Sequence, residues 1–191
     1  KNNSGYFFAK EGFISVALTW VAISVFGALP FAISGEIPNY IDALFEMVSG
    51  FTTTGASIVP NVEKLSNGMN MWRCFSHWVG GMGIIVFVIA LSDRVPDQSM
   101  YVLRAEMPGP IVGKLVPRAK QTSAILYIIY IAMTVIMFVF LLCGGEMGLF
   151  EAACHSFGTA GTGGFGIKAD CLASYGAYSQ WVIAVFMMLF G

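Results

Sequence analysis

Residues 40–57 read YIDALFEMVSGFTTTGAS, and residues 149–166 read LFEAACHSFGTAGTGGFG. Each stretch opens on a short, mostly apolar run of helical length, Tyr40–Phe51 and Leu149–Phe157. Each then passes at once into small residues of little helix propensity, TTTGAS at 52–57 and GTAGTGGFG at 158–166. At about 1.5 Å of rise per residue, neither run reaches across about 30 Å of hydrocarbon. Irregular backbone at membrane depth survives only where it is buried in protein or lines a water-filled cavity. The two stretches therefore read as re-entrant elements, a half-helix followed by a loop.

The flanking sequence supplies the membrane. Strongly apolar segments run over about Gly12–Ser34, Trp72–Ser92 and Thr122–Cys143, and a fourth begins near Tyr178 and is still running at Gly191. Segments of this length with few charges read as spanning helices, and Pro30 is expected to kink or end the first near its outer end. Of the 191 residues 57% are hydrophobic and 11% charged, too few charges to cover a water-soluble globule, which carries roughly 25%. No basic patch suited to nucleic acid is present. Cys74, Cys143, Cys154 and Cys171 show no zinc-ligand spacing, so they read as apolar filler. The start, KNNSGYFFAKEG, is not a signal peptide, and the sequence reads as a piece of a longer polypeptide.

Arg94, Arg104, Lys114, Arg118 and Lys120 concentrate in the connection 93–121, whereas 35–71 carries few basic residues. By the positive-inside rule that connection is cytoplasmic, and so is the amino terminus with Lys1 and Lys10. The segments 35–71 and 144–177 then face outward.

The pattern repeats. Asp42-Ala43 precedes Gly55 by 13 residues and Glu151-Ala152 precedes Gly163 by 12. Thr54-Gly55-Ala56 is matched to Thr162-Gly163-Gly164, and the two glycines are 108 positions apart. The spans start about 110 apart, so the chain is read as an internal duplication, of the kind that channel and transporter folds carry. The expected boundaries are 1–92 for the first span–pore-loop–span repeat, 93–121 for the basic connection, and 122–191 for a second repeat truncated in its last span.

A cation shedding water needs several oxygens at once, and backbone carbonyls provide them without a fixed anion that would trap the ion. Glycine permits the positive φ that a converging loop requires, and Thr52, Thr53 and Thr54 add hydroxyls and β-branched stiffness. Each half-helix aims its partly negative carboxyl end at the pore centre. Asp42 and Glu151 sit at the amino-terminal ends, where anions are stabilised and attract cations to the outer mouth. Gly80-Gly81-Met82-Gly83 removes side chains from one patch of the second span, for close packing against a pore helix. His77 and His155 read as packed polar residues that hydrogen-bond locally.

Two rival readings use the same residues. GTAGTGGFGIK looks like a phosphate-binding loop but lacks the Gly-Lys-[Ser/Thr] ending, since Lys168 stands between Ile167 and Ala169. The alternative from another class is an intramembrane serine protease, with Ser57 in Gly55-Ala56-Ser57 as nucleophile and His77 or His155 as base. Ile58 stands where a nucleophile elbow needs its second glycine, and one active site leaves the duplication unexplained.

DALFEMVSGFTTTGAS, WRCFSHWVGGMGIIV, LRAEMPGP and CHSFGTAGTGGF, in that order, resemble the Trk/Ktr/HKT superfamily of potassium transporters, most closely its bacterial TrkH/TrkG membrane subunits. The resemblance implies an all-α membrane protein of repeated span–pore helix–filter loop–span units. Four such units surround a pseudo-fourfold pore, and this chain would be the first and most of the second. It implies potassium uptake of the Trk-system symport class, with the coupled ion not legible here, and no enzymatic chemistry. The ion-binding positions carried over are Thr53, Thr54, Gly55, Gly161, Thr162 and Gly163, flanked by Thr52, Ala56, Ala160 and Gly164. Potassium is cargo at these residues, and no organic cofactor is expected. In the family a loop glycine favours potassium where a serine is linked to sodium permeation. The family further implies membrane lipid as surroundings, a homodimer, and a cytoplasmic TrkA-like ring that binds adenine nucleotides or NAD on the side of 93–121. The implied location is the bacterial inner membrane. The family's gating loop and pore-facing basic residue belong to later repeats.

Overall fold

A computed structural model of the chain describes residues 9–83 and 119–191, with side chains described over 14–83 and 124–191. Six α-helices lie in these segments: α1 (Ala9–Ser34), α2 (Tyr40–Phe51), α3 (Asn67–Met82), α4 (Ala119–Cys143), α5 (Leu149–Ala160) and α6 (Ala177–Phe190). A 3-10 turn, Val62–Lys64, precedes α3, and no strand occurs among the described residues. Residues 84–118, which hold the expected far end of the second span and nearly all of the basic connection, lie outside the described residues, as do residues 1–8.

Two stretches, Ile14–Ser34 in α1 and Ala124–Cys143 in α4, are long and apolar enough to cross a bilayer. Their outward faces are apolar as well: Ile33 is 81% exposed and Ile128 66%. Such side chains on an uncharged helix of spanning length suit a lipid or protein neighbour rather than water. α1 continues past Pro30 to Ser34 and ends on Gly35, φ +75°, so proline neither ends the helix nor marks its terminus. Gly145, φ +70°, follows the end of α4 in the same way.

The half-helices are both 12 residues long. Asn39 caps α2, its Oδ1 accepting from Ile41 N at 3.0 Å. At α5 the Glu151 carboxylate reaches back to Gly148 N at 3.3 Å. α2 keeps the bounds read from the sequence, but α5 runs to Ala160 rather than Phe157. Gly158 lies within the helix despite its weak propensity, with the Phe165 backbone in the space a side chain would need. α3 starts at Asn67 rather than Trp72 because Ser66 caps it, Oγ accepting from Met69 N at 3.3 Å. Its polar first turn hid that start from a reading based on apolar runs.

Each repeat has its own core. Ala28 and Phe31 of α1 pack on Ala43, Met47 and Phe51 of α2, and Met137 and Leu141 of α4 pack with Ala152 of α5 and Ile183 of α6. A third cluster, Cys74, Cys154, Phe165 and Ile167, joins α3 to α5 and the second loop. Tyr130 and Trp78 lash α4 to α3: Tyr130 Oη donates to Trp78 O at 2.9 Å, and Trp78 Nε1 to Thr134 Oγ1 at 3.2 Å.

The same carboxylate strap recurs in both repeats. Glu36 accepts from Ser66 N and Ser66 Oγ, each at 2.7 Å, tying the end of α1 to the start of α3. Glu146 accepts from Gly176 N at 3.0 Å and Ser179 Oγ at 2.7 Å, tying α4 to α6. Both members of the strap are displaced by 110 positions, so the duplication extends to individual hydrogen bonds.

Candidate functional site

The carboxyl ends of α2 and α5 converge on adjacent residues of α3. Gly80 leaves room for the Phe51 carbonyl, where α2 ends. Gly81 leaves room for the Tyr130 hydroxyl, for Gly161 Cα and for the Ala160 carbonyl, where α5 ends. The glycine patch on the second span thus seats both half-helices. Two partly negative helix ends are brought to one place, most of their last-turn carbonyls accepting from the first backbone N–H groups of the loops.

The loops leave that place with one shared backbone pattern. Thr53 has φ 56° and Gly55 φ 75°, while Thr162 has φ 59° and Gly164 φ 76°. Thr53 N donates to Gly50 O at 3.1 Å, and Thr162 N donates to Thr159 O at 2.8 Å. A β-branched residue at positive φ is strained, and its recurrence at matched positions marks a conformation the surrounding fold imposes. The half-helices begin at Tyr40 and Leu149 and end at Phe51 and Ala160, a displacement of 109 at both ends. The matching of Gly55 to Gly163 is therefore corrected by one position. Gly164 is the counterpart of Gly55, and Gly163 that of Thr54. Sequence matching slid because consecutive glycines carry no side chain to distinguish them.

The remaining expected residues fall around this frame. Thr52 caps α2, and its hydroxyl lies 2.7 Å from Val48 O and 2.8 Å from the Thr54 hydroxyl. Ala56 is exposed; Ala160 is buried in the last turn of α5 rather than in the loop. Gly161 and Gly163 both pack on the His77 ring, and Gly163 also abuts the Thr53 carbonyl, while the Gly163 carbonyl fills the space beside Gly55. The two loops thus face one another through backbone. His77 is fully buried, lies against the Phe165 ring with 4.5 Å between ring centroids and a tilt of 31°, and neither ring nitrogen has a hydrogen-bond partner, contrary to the expectation of a local bond. His155 does find one: its Nε2 lies 3.4 Å from Tyr175 Oη. Burial, reinforced by the Glu151 carboxylate, pushes the Tyr175 phenol above its ordinary value and keeps it protonated.

A buried charge network, not anticipated from the sequence, lies behind the loops. Arg73 of α3 is 1% exposed and Glu46 of α2 is fully buried, with Arg73 Nε 2.6 Å from Glu46 Oε1. Glu46 also accepts from Ser57 Oγ at 2.9 Å and from Ile58 N at 3.0 Å, at the end of the first loop. Arg73 Nη1 donates to Asn70 Oδ1 at 3.3 Å and to Gly166 O at 3.1 Å, and Nη2 to Ser57 Oγ at 3.4 Å. The guanidinium lies over the Phe165 ring at 4.4 Å. Arg73 and Glu46 stand as isolated charges in or beside apolar runs of the sequence, but nothing there points from one to the other. Ser57 is thereby engaged by Glu46 and Arg73 rather than by His77 or His155, so the nucleophile–base contact of the protease alternative is not made. On the same side a cavity of about 460 Å³ is lined by Glu63, Asn70, Glu151, Lys168 and Asp170 among others.

A helical membrane protein built from repeated span, half-helix and loop units is the class that this fold and site define. Known proteins narrow it. The family model described as TrkH, cation transport protein, matches residues 2–191. The Trk system potassium uptake protein TrkH of Escherichia coli K12 is 36% identical over 195 residues, covering 100% of this chain and 40% of that protein. TrkG of the same organism is 34% identical, covering 92% of this chain and 36% of that protein. The crystal structure of the potassium transporter TrkH from Vibrio parahaemolyticus matches with a TM-score of 0.77 at 30% identity, over 99% of this chain and 37% of that one. The chain belongs to the TrkH family of cation transport proteins. It spans about 40% of the length of the curated relatives it matches, and those relatives are transporters, not enzymes.

Proposed function

We propose that the chain supplies two of the four units of a potassium-uptake pore, and that the loops 52–57 and 161–166 form half of its selectivity filter. The convergence of two half-helix carboxyl ends on Gly80 and Gly81, each followed by a loop with the same backbone pattern, carries this reading. Dipoles and carbonyls gathered at one point favour a dehydrated monovalent cation without trapping it. Thr53, Thr54, Gly55, Gly161, Thr162 and Gly163 bind the ion, and Gly164 joins them as the counterpart of Gly55. The names of the Escherichia coli relatives support potassium as cargo.

In this reading residues 1–92 form the first repeat, 93–121 a cytoplasmic connection, and 122–191 the second repeat. The full-length protein resides in the bacterial inner membrane as a homodimer. It meets a cytoplasmic nucleotide-binding ring on the side of 93–121, and flux follows the ion gradient through carbonyl sites without covalent chemistry. The test is Gly55→Ser in the full-length protein, with potassium and sodium fluxes measured in proteoliposomes. Potassium preference should relax, and an unchanged flux ratio would overturn the filter assignment. Full-length protein should also rescue potassium-limited growth of an uptake-deficient bacterium.

A further inference from the structure

We propose that Arg73 and Glu46 are positioning residues for ion selection, holding the first and second filter loops at a fixed separation; this rests on the filter reading above. Arg73 touches both repeats at equivalent points. Its Nη2 donates to Ser57 and its Nη1 to the carbonyl of Gly166, and these two residues occupy matched places in the 109-residue displacement of the half-helices. Glu46 fixes the first of the two loops by accepting from Ser57 Oγ and Ile58 N. A guanidinium has a planar fork of donors, so one buried side chain can set the distance between a hydroxyl of one loop and a backbone carbonyl of the other in a way a point charge cannot.

The second repeat shows that the pair is a device of this boundary and not of the repeat. By the 109-residue displacement of the half-helices it carries His155 for Glu46, and by the 110-residue displacement of the starts of α3 and α6 it carries Ile183 for Arg73. Both charges are replaced together, as expected where a lone buried charge is not tolerated. His155 turns to Tyr175 and Ile183 packs into the core of the second repeat. Four loops around one axis need not be held alike, and the boundary between the first and second is held by an ion pair.

The experiment uses full-length protein in proteoliposomes, with the potassium-to-sodium flux ratio measured at matched protein content. Arg73→Lys keeps the charge but loses the fork. The joint change Glu46→His with Arg73→Ile copies the second repeat's own neutral solution. Glu46→Asp is the conservative control, which shortens the reach but keeps the carboxylate. Arg73→Lys should lower the ratio by about tenfold, the scale on which outer-shell partners tune a bound ion. The joint variant should lower it at least as far, and Glu46→Asp should lower it less. A purely structural role would change the amount of assembled protein and leave the ratio alone. A wild-type ratio in Arg73→Lys overturns the proposal, whether or not the joint variant assembles. Gly55→Ser measured alongside separates the two ideas: if it relaxes selection while Arg73→Lys does not, only the positioning role falls. If Gly55→Ser has no effect, the filter reading itself falls.

Discussion

At the scale of single residues, neighbouring glycines in the second loop have different duties. Gly164 needs its left-handed backbone, φ 76°, but a Cβ there would meet only the Met187 methyl at 3.7 Å. Gly163 needs empty space, because a Cβ would strike the His77 ring and the Thr53 carbonyl. Gly164→Ala should therefore cost about 1 kcal/mol of backbone strain. Gly163→Ala should cost more, about 1–3 kcal/mol as overpacking, and should displace both loops. Thermal unfolding of the purified full-length variants should rank them in that order. Glu46→Ala leaves the Arg73 charge buried without its carboxylate, a loss of about 3–5 kcal/mol. It should appear as a sharp drop in folded protein, partly restored by removing Arg73 as well. None of this separation was legible in the sequence, where Gly163 and Gly164 are interchangeable letters.

At the scale of elements, helix ends decide the geometry. Gly80 and Gly81 let two half-helices finish against one helix, and a methyl group on either would push back a backbone carbonyl. Gly80→Ala and Gly81→Ala should each destabilise by about 1–3 kcal/mol and impair ion flux more than an alanine on the lipid face of α1 does. The paired straps should respond equally. Glu36→Ala and Glu146→Ala each remove an acceptor from a helix start, for a loss of about 1–2 kcal/mol in thermal unfolding. Half-helix α2 was readable to the residue because the polar Asn39 and the TTTG run bracket it. The start of α3 was not, because Asn67-Gly68-Met69-Asn70 resembles a loop until Ser66 is seen capping it and Asn70 is seen buried, donating to Val62 O at 2.9 Å. The last turn of α5 was not, because Gly158 reads as a loop residue until the Phe165 backbone is seen in the space a side chain would need.

At the scale of the whole molecule, the alternation of long apolar helices with short ones was legible from length and composition alone. The family was legible from four motifs in order. The charge network was not, because Arg73 meets Gly166 across 93 residues of sequence and neither residue type announces the other. Two loops do not enclose an axis by themselves. This 191-residue chain reconstituted alone should give no potassium flux above empty vesicles, whereas the full-length protein should.

The partners of Arg73 also differ in when they are made. Glu46, Ser57 and Asn70 precede it in the chain, so they are already synthesised when Arg73 is. Gly166 and Phe165 follow only after some 93 further residues, an interval of about 5–20 s at ordinary rates of synthesis. Arg73 can therefore already be neutralised by Glu46 and engaged by Ser57 and Asn70, with only the contacts to Gly166 and Phe165 still to be made. The order of synthesis thus lets the ion pair form before the loop that Arg73 meets in the second repeat exists at all.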